Sequence, residues 1–219
     1  MYELIVFDLD GTLLDTLDDL TTAVNEALTR QGLPTHTREK IRSFIGDGLR
    51  ALIRRAVGYE HEREEEIMRC FRAYYKEHCA VKTQPYTGVI ELLSFLKNKG
   101  VHTAILSNKA DLATQQLSKL FFDGLVEDAQ GENEGAGIPR KPAPDALFAM
   151  MKRFGTTNAN TLYVGDSEVD IQTAKNAGVD CISVSWGFKS EAFLKEHGAM
   201  KIARSTEEIV GFLFGEDRR

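Results

Sequence analysis

The feature that most constrains this chain is a short apolar run that ends in two carboxylates and a glycine, Leu4-Ile5-Val6-Phe7-Asp8-Leu9-Asp10-Gly11-Thr12. Four apolar residues before the first acid predict a central parallel strand that is covered on both faces. In open α/β sheets, ligands bind beyond the carboxyl ends of such strands, where Asp8 and Asp10 would lie. Residues two apart in an extended chain point to the same side, so both carboxylates could reach one small site. Two like charges so close favour a bound cation.

The composition is that of an ordinary globular protein, with 42% hydrophobic and 27% charged residues in 219. A net charge of −6 argues against a nucleic-acid or anionic-membrane partner. The three cysteines lack metal-binding or disulfide spacing and are expected to be reduced thiols. Without a signal-peptide pattern or an apolar run of membrane-spanning length, we expect a cytoplasmic location.

Helical patterns dominate the segment that follows the first strand. Asp15 or Thr16 could cap a helix that ends near Gly32, and three more apolar helical patterns follow before residue 76. From Pro85 onward helical and strand patterns alternate: strands are predicted at 101–106, 125–126, 161–164 and 181–184, and helices at 89–99, 112–120, 145–154 and 171–177. This rhythm predicts an α/β fold with a doubly wound, Rossmann-like parallel sheet. We assign residues 1–14 and 85–219 to this core and residues 15–84 to an all-helical cap domain, inserted after the first strand and lying over the site.

Two further strand ends carry polar groups. Ser107 and Asn108 follow the strand at 101–106, where a hydroxyl and backbone N–H groups could hold a phosphate, with Asp111 available to cap the next helix. Taken alone, this dipeptide more often marks only a helix start. Residues 165–170, Gly-Asp-Ser-Glu-Val-Asp, follow the strand at 161–164 and offer Asp166 as a ligand, while Asp170 could equally cap a helix.

Lys141 stands between a Gly- and Pro-rich stretch, residues 130–144, and Pro142, which favours extended backbone before it. We interpret most of that stretch as a loop. A phosphate site with several acids needs a fixed cation, and Lys141 is the candidate, with Arg140 as its rival by one residue of slippage.

Four segments of the chain, taken in order, resemble the four motifs of haloacid-dehalogenase-type phosphatases. They are Asp8-Leu9-Asp10-Gly11-Thr12-Leu13, Ser107-Asn108, Lys141-Pro142 and residues 165–170. The resemblance implies a phosphomonoester hydrolase in which Asp8 is the nucleophile and Asp10 the general acid and base. It also implies that Mg²⁺ is held by Asp8, Asp10 and Asp166, with Asp170 behind them. Phosphate would be bound by Ser107, Asn108 and Lys141.

Looser matches at Asp15-Thr16, 44–49 and 85–89 are similar to phosphoglycolate phosphatases, so 2-phosphoglycolate is the expected substrate. We expect no membrane or nucleic-acid partner. The expected assembly is a monomer or a homodimer. The cap segment from Gly46 carries Arg50 and Arg54 one helical turn apart, and they could bind the substrate carboxylate. Each arginine could equally be an ordinary solvated residue.

Several alternatives were weighed. A dehalogenase is disfavoured because members with that activity typically lack an acid at the position of Asp10. A β-phosphoglucomutase-like mutase is disfavoured because no histidine occurs between Asp15 and Asn25. An inorganic pyrophosphatase or a broad sugar-phosphate phosphatase would share all core motifs and stays open. A non-catalytic phosphate-binding module is weakened because every catalytic position is filled.

Overall fold

The structure is a computed structural model that describes residues 2–59, 61–133, 135 and 137–215. Its strands are β1 Leu4–Phe7, β2 Leu14–Asp15, β3 Gln84–Pro85, β4 His102–Ala110, β5 Asp128–Glu132, β6 Thr161–Gly165, β7 Asp180–Val184 and β8 Ile202–Ala203. Its helices are α1 Leu17–Arg30, α2 Arg38–Phe44, α3 Gly48–Val57, α4 Glu64–His78, α5 Val89–Asn98, α6 Asp111–Phe122, α7 Asp145–Phe154, α8 Glu168–Ala177, α9 Glu191–Glu196 and α10 Thr206–Phe214. Over these described ranges, no helix is both long enough and apolar enough to cross a bilayer.

Six strands form one parallel sheet in the order β5-β4-β1-β6-β7-β8, which confirms the predicted α/β class. The chain leaves β1 toward β4 and β5, then returns to β6 on the other side of β1. The order therefore reverses between β1 and β6, and a ligand crevice is expected beyond their carboxyl ends.

Alternate residues of β1 enter two different apolar clusters, one on each face of the sheet. Ile5 and Phe7 belong to the larger cluster, which also includes the buried residues of the helices between β2 and β3. Leu4 and Val6 belong to the second cluster, which includes α7. All four side chains are at most 1% exposed. This double burial explains why the strand reads as a continuous apolar run.

The segment between β2 and β3 contains α1 to α4, as the apolar periodicity predicted. Its two ends meet in an antiparallel ladder that pairs Leu14 with Pro85 and Asp15 with Gln84. The buried Asp19 carboxylate accepts hydrogen bonds from the backbone N–H groups of Lys82 and Thr83 and from the Thr83 hydroxyl. The helical segment thus leaves and rejoins the core at one place.

Several details differ from the sequence predictions, and strands β2 and β3 and helices α9 and α10 were not predicted at all. Residues 125–126, predicted as a strand, belong to a turn, since the N–H groups of both donate to Phe122 O. The strand that follows α6 is instead β5, whose sequence Asp-Ala-Gln-Gly-Glu has no apolar run. The first residues of the predicted 130–144 loop therefore belong to a strand. β4 continues to Ala110, so Ser107 and Asn108 lie inside it. Asp111 does not cap α6, because its carboxylate accepts from the Gly131 N–H. The short strand β8 was not predicted.

Candidate active site

A cavity of about 430 Å³ opens beyond the carboxyl ends of β1, β4 and β6. Its floor is polar and comprises Asp8, Asp10, Ser107, Asn108, Lys109, Lys141 and Asp166. Its walls are largely apolar and include Leu20, Ile45, Leu49, Leu52, Phe71 and Tyr75, which come from the helical segment. A polar floor under apolar walls is typical of a small-molecule site.

Asp8 stands one residue beyond β1, and its N–H continues the ladder by donating to Val164 O at 2.8 Å. The side chain is buried, and an Oδ accepts from the Lys141 ammonium at 2.8 Å. Burial raises the pKa of Asp8 to about 6, although the Lys141 charge opposes the rise. The site thus holds a desolvated carboxylate beside a fixed cation.

Of the two candidates Lys141 and Arg140, Lys141 lines the floor of this cavity. Its ammonium donates to Asp8 at 2.8 Å, to Asp170 at 2.7 Å and to the Tyr163 hydroxyl at 3.0 Å, so all three N–H bonds have acceptors. Burial works against the charge, yet the Asp170 and Asp8 carboxylates hold the pKa of Lys141 well above its usual value.

Tyr163 had no place in the sequence analysis. Its hydroxyl accepts from Lys141 and donates to Leu106 O at 3.0 Å, so it ties the ammonium to β4. A tyrosine in the middle of an apolar strand reads as core, and only the three-dimensional structure reveals its polar end.

Asp166 and Asp170 have separate tasks in the turn between β6 and α8. Asp170 accepts from the N–H and hydroxyl of Ser167, a capping box that starts α8, as well as from Lys141. Among the residues that the structure describes, the Asp166 carboxylate accepts a hydrogen bond from the Phe188 N–H alone, at 2.5 Å. Burial, reinforced by the Asp170 and Asp8 carboxylates, raises the pKa of Asp166 well above its usual value. Its negative charge is therefore poorly compensated within the described protein.

These carboxylates fit a divalent cation. Oxygens of Asp8, Asp166 and Asp170 lie within 4.8 Å of one another, and all three residues are buried. A cluster of carboxylate oxygens with no histidine or cysteine among the three residues is an all-oxygen donor set, which suits Mg²⁺.

Two glycines leave space around Asp166. A Cβ on either Gly11 or Gly187 would come within 2.4 Å of its carboxylate. Gly11 also has a φ of +88°, which favours glycine. Any larger residue there would push into the site.

Ser107 and Asn108 reach the same floor from β4. The Ser107 hydroxyl is buried and accepts from the Lys109 N–H at 3.3 Å. The Asn108 amide donates to Lys141 O at 3.0 Å and to Gly46 O at 3.4 Å. The Asn108 side chain is thus engaged within the protein, where it holds the Lys141 backbone and contacts the helical segment.

Asp10 is paired with Lys109, a residue that the sequence analysis missed. The Lys109 ammonium donates to both Asp10 oxygens, at 2.8 and 2.9 Å, and lies 4.7 Å from the ring centroid of Tyr75 on α4. Burial opposes the charge, but the Asp10 carboxylate keeps the pKa of Lys109 above its usual value. Lys109 was missed because the predicted strand ended at residue 106. In β4, Ser107 and Lys109 are two residues apart, and both line the cavity.

The structure does not bring Arg50 and Arg54 to the cavity. Arg54 forms an ion pair with Glu64 at 2.7 Å, and Arg50 pairs with Glu64 and Glu65. Neither arginine lines the cavity, although Gly46 and Gly48 of the same segment do. The acidic start of α4 draws both side chains away, which the spacing of the arginines alone could not reveal.

Known proteins resemble this chain in sequence and in fold. Residues 5–184 match a family model described as haloacid dehalogenase-like hydrolase. A phosphoglycolate phosphatase of Pseudomonas savastanoi pv. phaseolicola is 36% identical, over 96% of this chain and 80% of the relative. One of Aquifex aeolicus is 32% identical, over 84% and 85% of the two chains. A crystal structure of a predicted phosphoglycolate phosphatase from Haemophilus somnus superposes with a TM-score of 0.88 at 30% identity, covering 97% and 98% of the two chains.

Proposed function

Since this chain belongs to the haloacid dehalogenase-like hydrolases, we propose that it is a Mg²⁺-dependent phosphatase that hydrolyses 2-phosphoglycolate through an aspartyl-phosphate on Asp8. The observation that carries this proposal is the buried group of Asp8, Lys141 and Asp166 at the floor of the cavity. The substrate is supported by the names of the curated relatives that match most of the chain.

In the first step, an Asp8 oxygen attacks phosphorus, the bond from phosphorus to the ester oxygen breaks, and the departing alkoxide takes a proton from Asp10. In the second step, a water oxygen attacks phosphorus and gives a proton to the Asp10 carboxylate, and the bond from phosphorus to the Asp8 oxygen breaks. Inorganic phosphate leaves, Asp8 is again a carboxylate and Asp10 is again protonated. A weak nucleophile can do this only if the phosphoryl charge is neutralised and the group is held in line.

The residues that would hold Mg²⁺ are Asp8 and Asp166 through their carboxylates and Asp10 through its backbone carbonyl. When bound, the ion supplies positive charge against the phosphoryl oxygens. Lys141 supplies a second, permanent charge there, and Asp170 and Tyr163 keep its ammonium in place. Asp170 therefore acts as a positioning residue.

The Ser107 hydroxyl would bind the phosphoryl oxygens together with backbone N–H groups beside it, since Ser107 lines the cavity with Asp8. Asn108 would contribute mainly by fixing the Lys141 backbone and the Gly46 carbonyl. We further propose that residues 15–84 act as the cap that covers the site. A cytoplasmic location, a lack of nucleic-acid partners and a monomeric or homodimeric state stay predictions.

The test is a panel of phosphomonoesters plus pyrophosphate, assayed with Mg²⁺ and ranked by kcat/KM. We expect 2-phosphoglycolate to lead the panel and Asp8→Asn to abolish turnover. Asp145→Asn, at the exposed start of α7, is the matched control and should retain activity. Substantial activity in Asp8→Asn would refute the covalent route. A lead of tenfold or more for pyrophosphate or a hexose phosphate, about 1.4 kcal/mol of transition-state preference, would overturn the substrate and leave the phosphatase assignment standing.

A further inference from the structure

Lys109 and Tyr75 form a buried pair on the cavity that the two chemical steps do not use. The Lys109 side chain is only 5% exposed, and its ammonium is held by Asp10. Tyr75 is 5% exposed, and its hydroxyl lies beside the Lys109 ammonium but makes no hydrogen bond of standard geometry within the described parts of the chain. A buried hydroxyl without a partner is costly, and in a cavity it is a donor available to a ligand.

We propose that Lys109 and the Tyr75 hydroxyl together bind the carboxylate of the substrate's leaving group. This inference rests on the proposed function and names the residues that select a phosphomonoester whose alcohol carries a second anion. The ammonium comes from β4 of the core and the hydroxyl from α4 of the helical segment, so the carboxylate would be bound between the two parts of the chain.

The position of Lys109 follows from that of Asp10. As general acid, Asp10 must contact the ester oxygen that bridges phosphorus and the leaving group. In 2-phosphoglycolate, the carbon bonded to that oxygen also carries the carboxylate. Because the Lys109 ammonium lies 2.8 and 2.9 Å from the Asp10 oxygens, it lies next to the place that this carboxylate must occupy.

The same pairing gives a reason for selectivity. In the resting protein the ammonium occupies both Asp10 oxygens. A substrate carboxylate offers Lys109 a new partner of the same charge, which frees an Asp10 oxygen to face the bridging oxygen. A leaving group without a carboxylate offers no such exchange, so Asp10 stays engaged with Lys109.

Besides Lys109 and Lys141, three other cations face the cavity: Arg72 and Lys76 on α4, and Lys189. The Lys189 ammonium lies 4.0 Å from a Glu168 oxygen and donates to Ile45 O at 3.3 Å, so it already has partners in the protein. Arg72 and Lys76 are the competing candidates. Both are exposed, and within the described residues neither has an ion pair. Water competes with exposed cations for an anion, whereas a buried ammonium and hydroxyl meet it after desolvation. The buried pair is therefore assigned the carboxylate.

The experiment compares 2-phosphoglycolate with 2-hydroxyethyl phosphate, which has the same chain length and a neutral hydroxyl in place of the carboxylate. We expect the wild-type kcat/KM to favour 2-phosphoglycolate by about 100-fold, which lies within the range expected when a buried charged group loses its partner. Lys109→Met should bring this ratio close to one. Tyr75→Phe should lower it by about tenfold, as for one lost hydrogen bond to a charged group. Arg69→Ala, on the same helix but paired with Glu66, should leave it unchanged.

Tyr75→Phe keeps the inference testable even if Lys109→Met fails to fold. Because the hydroxyl makes no hydrogen bond of standard geometry within the described residues, Tyr75→Phe should melt close to or above the wild-type temperature while losing preference for 2-phosphoglycolate. A purely structural role would lower the melting temperature instead. Equal proportional losses on both substrates, or loss of preference in Arg72→Ala but not in Lys109→Met or Tyr75→Phe, would overturn the inference while the proposed function stands. A wild type that hydrolyses 2-phosphoglycolate poorly beside other phosphomonoesters would overturn both.

Discussion

Removal of the Lys141 charge should destabilise the metal-free protein far more than removal of any exposed lysine. The Lys141 side chain is 4% exposed and serves Asp8 at 2.8 Å and Asp170 at 2.7 Å. Lys141→Met leaves these buried carboxylates without a counter-charge, and breaking a buried ion pair in this way costs about 3–5 kcal/mol. For a chain of this size, that loss lowers the melting temperature by roughly 6–20 °C.

The assay is thermal unfolding followed by circular dichroism in the presence of EDTA, so that no metal replaces the lost charge. Lys152→Met is the matched control: Lys152 is exposed in the last turn of α7, and its replacement should cost less than about 0.5 kcal/mol. Asp170→Asn removes one of the stranded carboxylates. The double variant Lys141→Met/Asp170→Asn should therefore be more stable than the sum of the single losses by about 0.5–3 kcal/mol. A Lys141→Met loss below about 1 kcal/mol, or strict additivity, would show that the buried ion pairs do not form.

Three further outcomes are expected. Because burial raises the pKa of Asp8 to about 6, its protonated form stabilises the fold at low pH and this stability is lost as the pH rises through 6. Mg²⁺ binds the deprotonated carboxylates, so it should raise the melting temperature of the wild type more at pH 8 than at pH 5. It should not raise the melting temperature of Asp166→Asn. Equal increases at both pH values in the wild type would contradict this expectation. Asp10→Asn should slow alkyl phosphate hydrolysis by roughly 10²–10⁴-fold and p-nitrophenyl phosphate hydrolysis less, and equal losses would count against an acid role. Arg54 pairs with Glu64, so Arg54→Ala should leave the KM for 2-phosphoglycolate unchanged and should cost about 0–1 kcal/mol of stability in thermal melts. A raised KM would show that Arg54 does contribute to substrate binding.

Much of the core could be predicted because its signals are local. The apolar run before Asp8 requires burial on both faces, and the junction at 165–170 carries its acid, its glycine and its capping residue within six positions. Parallel strands place their carboxyl ends along one edge, so Asp8, Lys141 and Asp166 converge in the structure as the motif order indicated. The α/β class needed no knowledge of contacts between distant side chains.

The edge strands were harder to predict, because they have weak apolar patterns. β5 offers only Ala129 and Gly131 to the interior, and its pairing with β4 is what makes it a strand. The apolar pair at 125–126 looked more like a strand, yet it packs against the core from the turn after α6. Long-range pairing decided both cases, and periodicity within a short window does not report it.

The cavity-facing residues of the helical segment between β2 and β3 were predicted least well, because they depend on which helix face turns toward the core. Arg50 and Arg54 looked suitable for binding the substrate carboxylate by their charge and spacing, but both form ion pairs with Glu64 at the acidic start of α4. Phe71 and Tyr75, also one turn apart, looked like ordinary core, since an apolar helix face has the same pattern whether it covers other side chains or a ligand cavity. What separates the two cases is a polar atom left without a partner, and the Tyr75 hydroxyl beside Lys109 is such an atom. Such a residue can be recognised only once the position of the helical segment against the core is known. A search for specificity residues in similar chains should therefore begin with buried hydrogen-bond donors on the cavity wall, and not with the spacing of charged residues in the sequence.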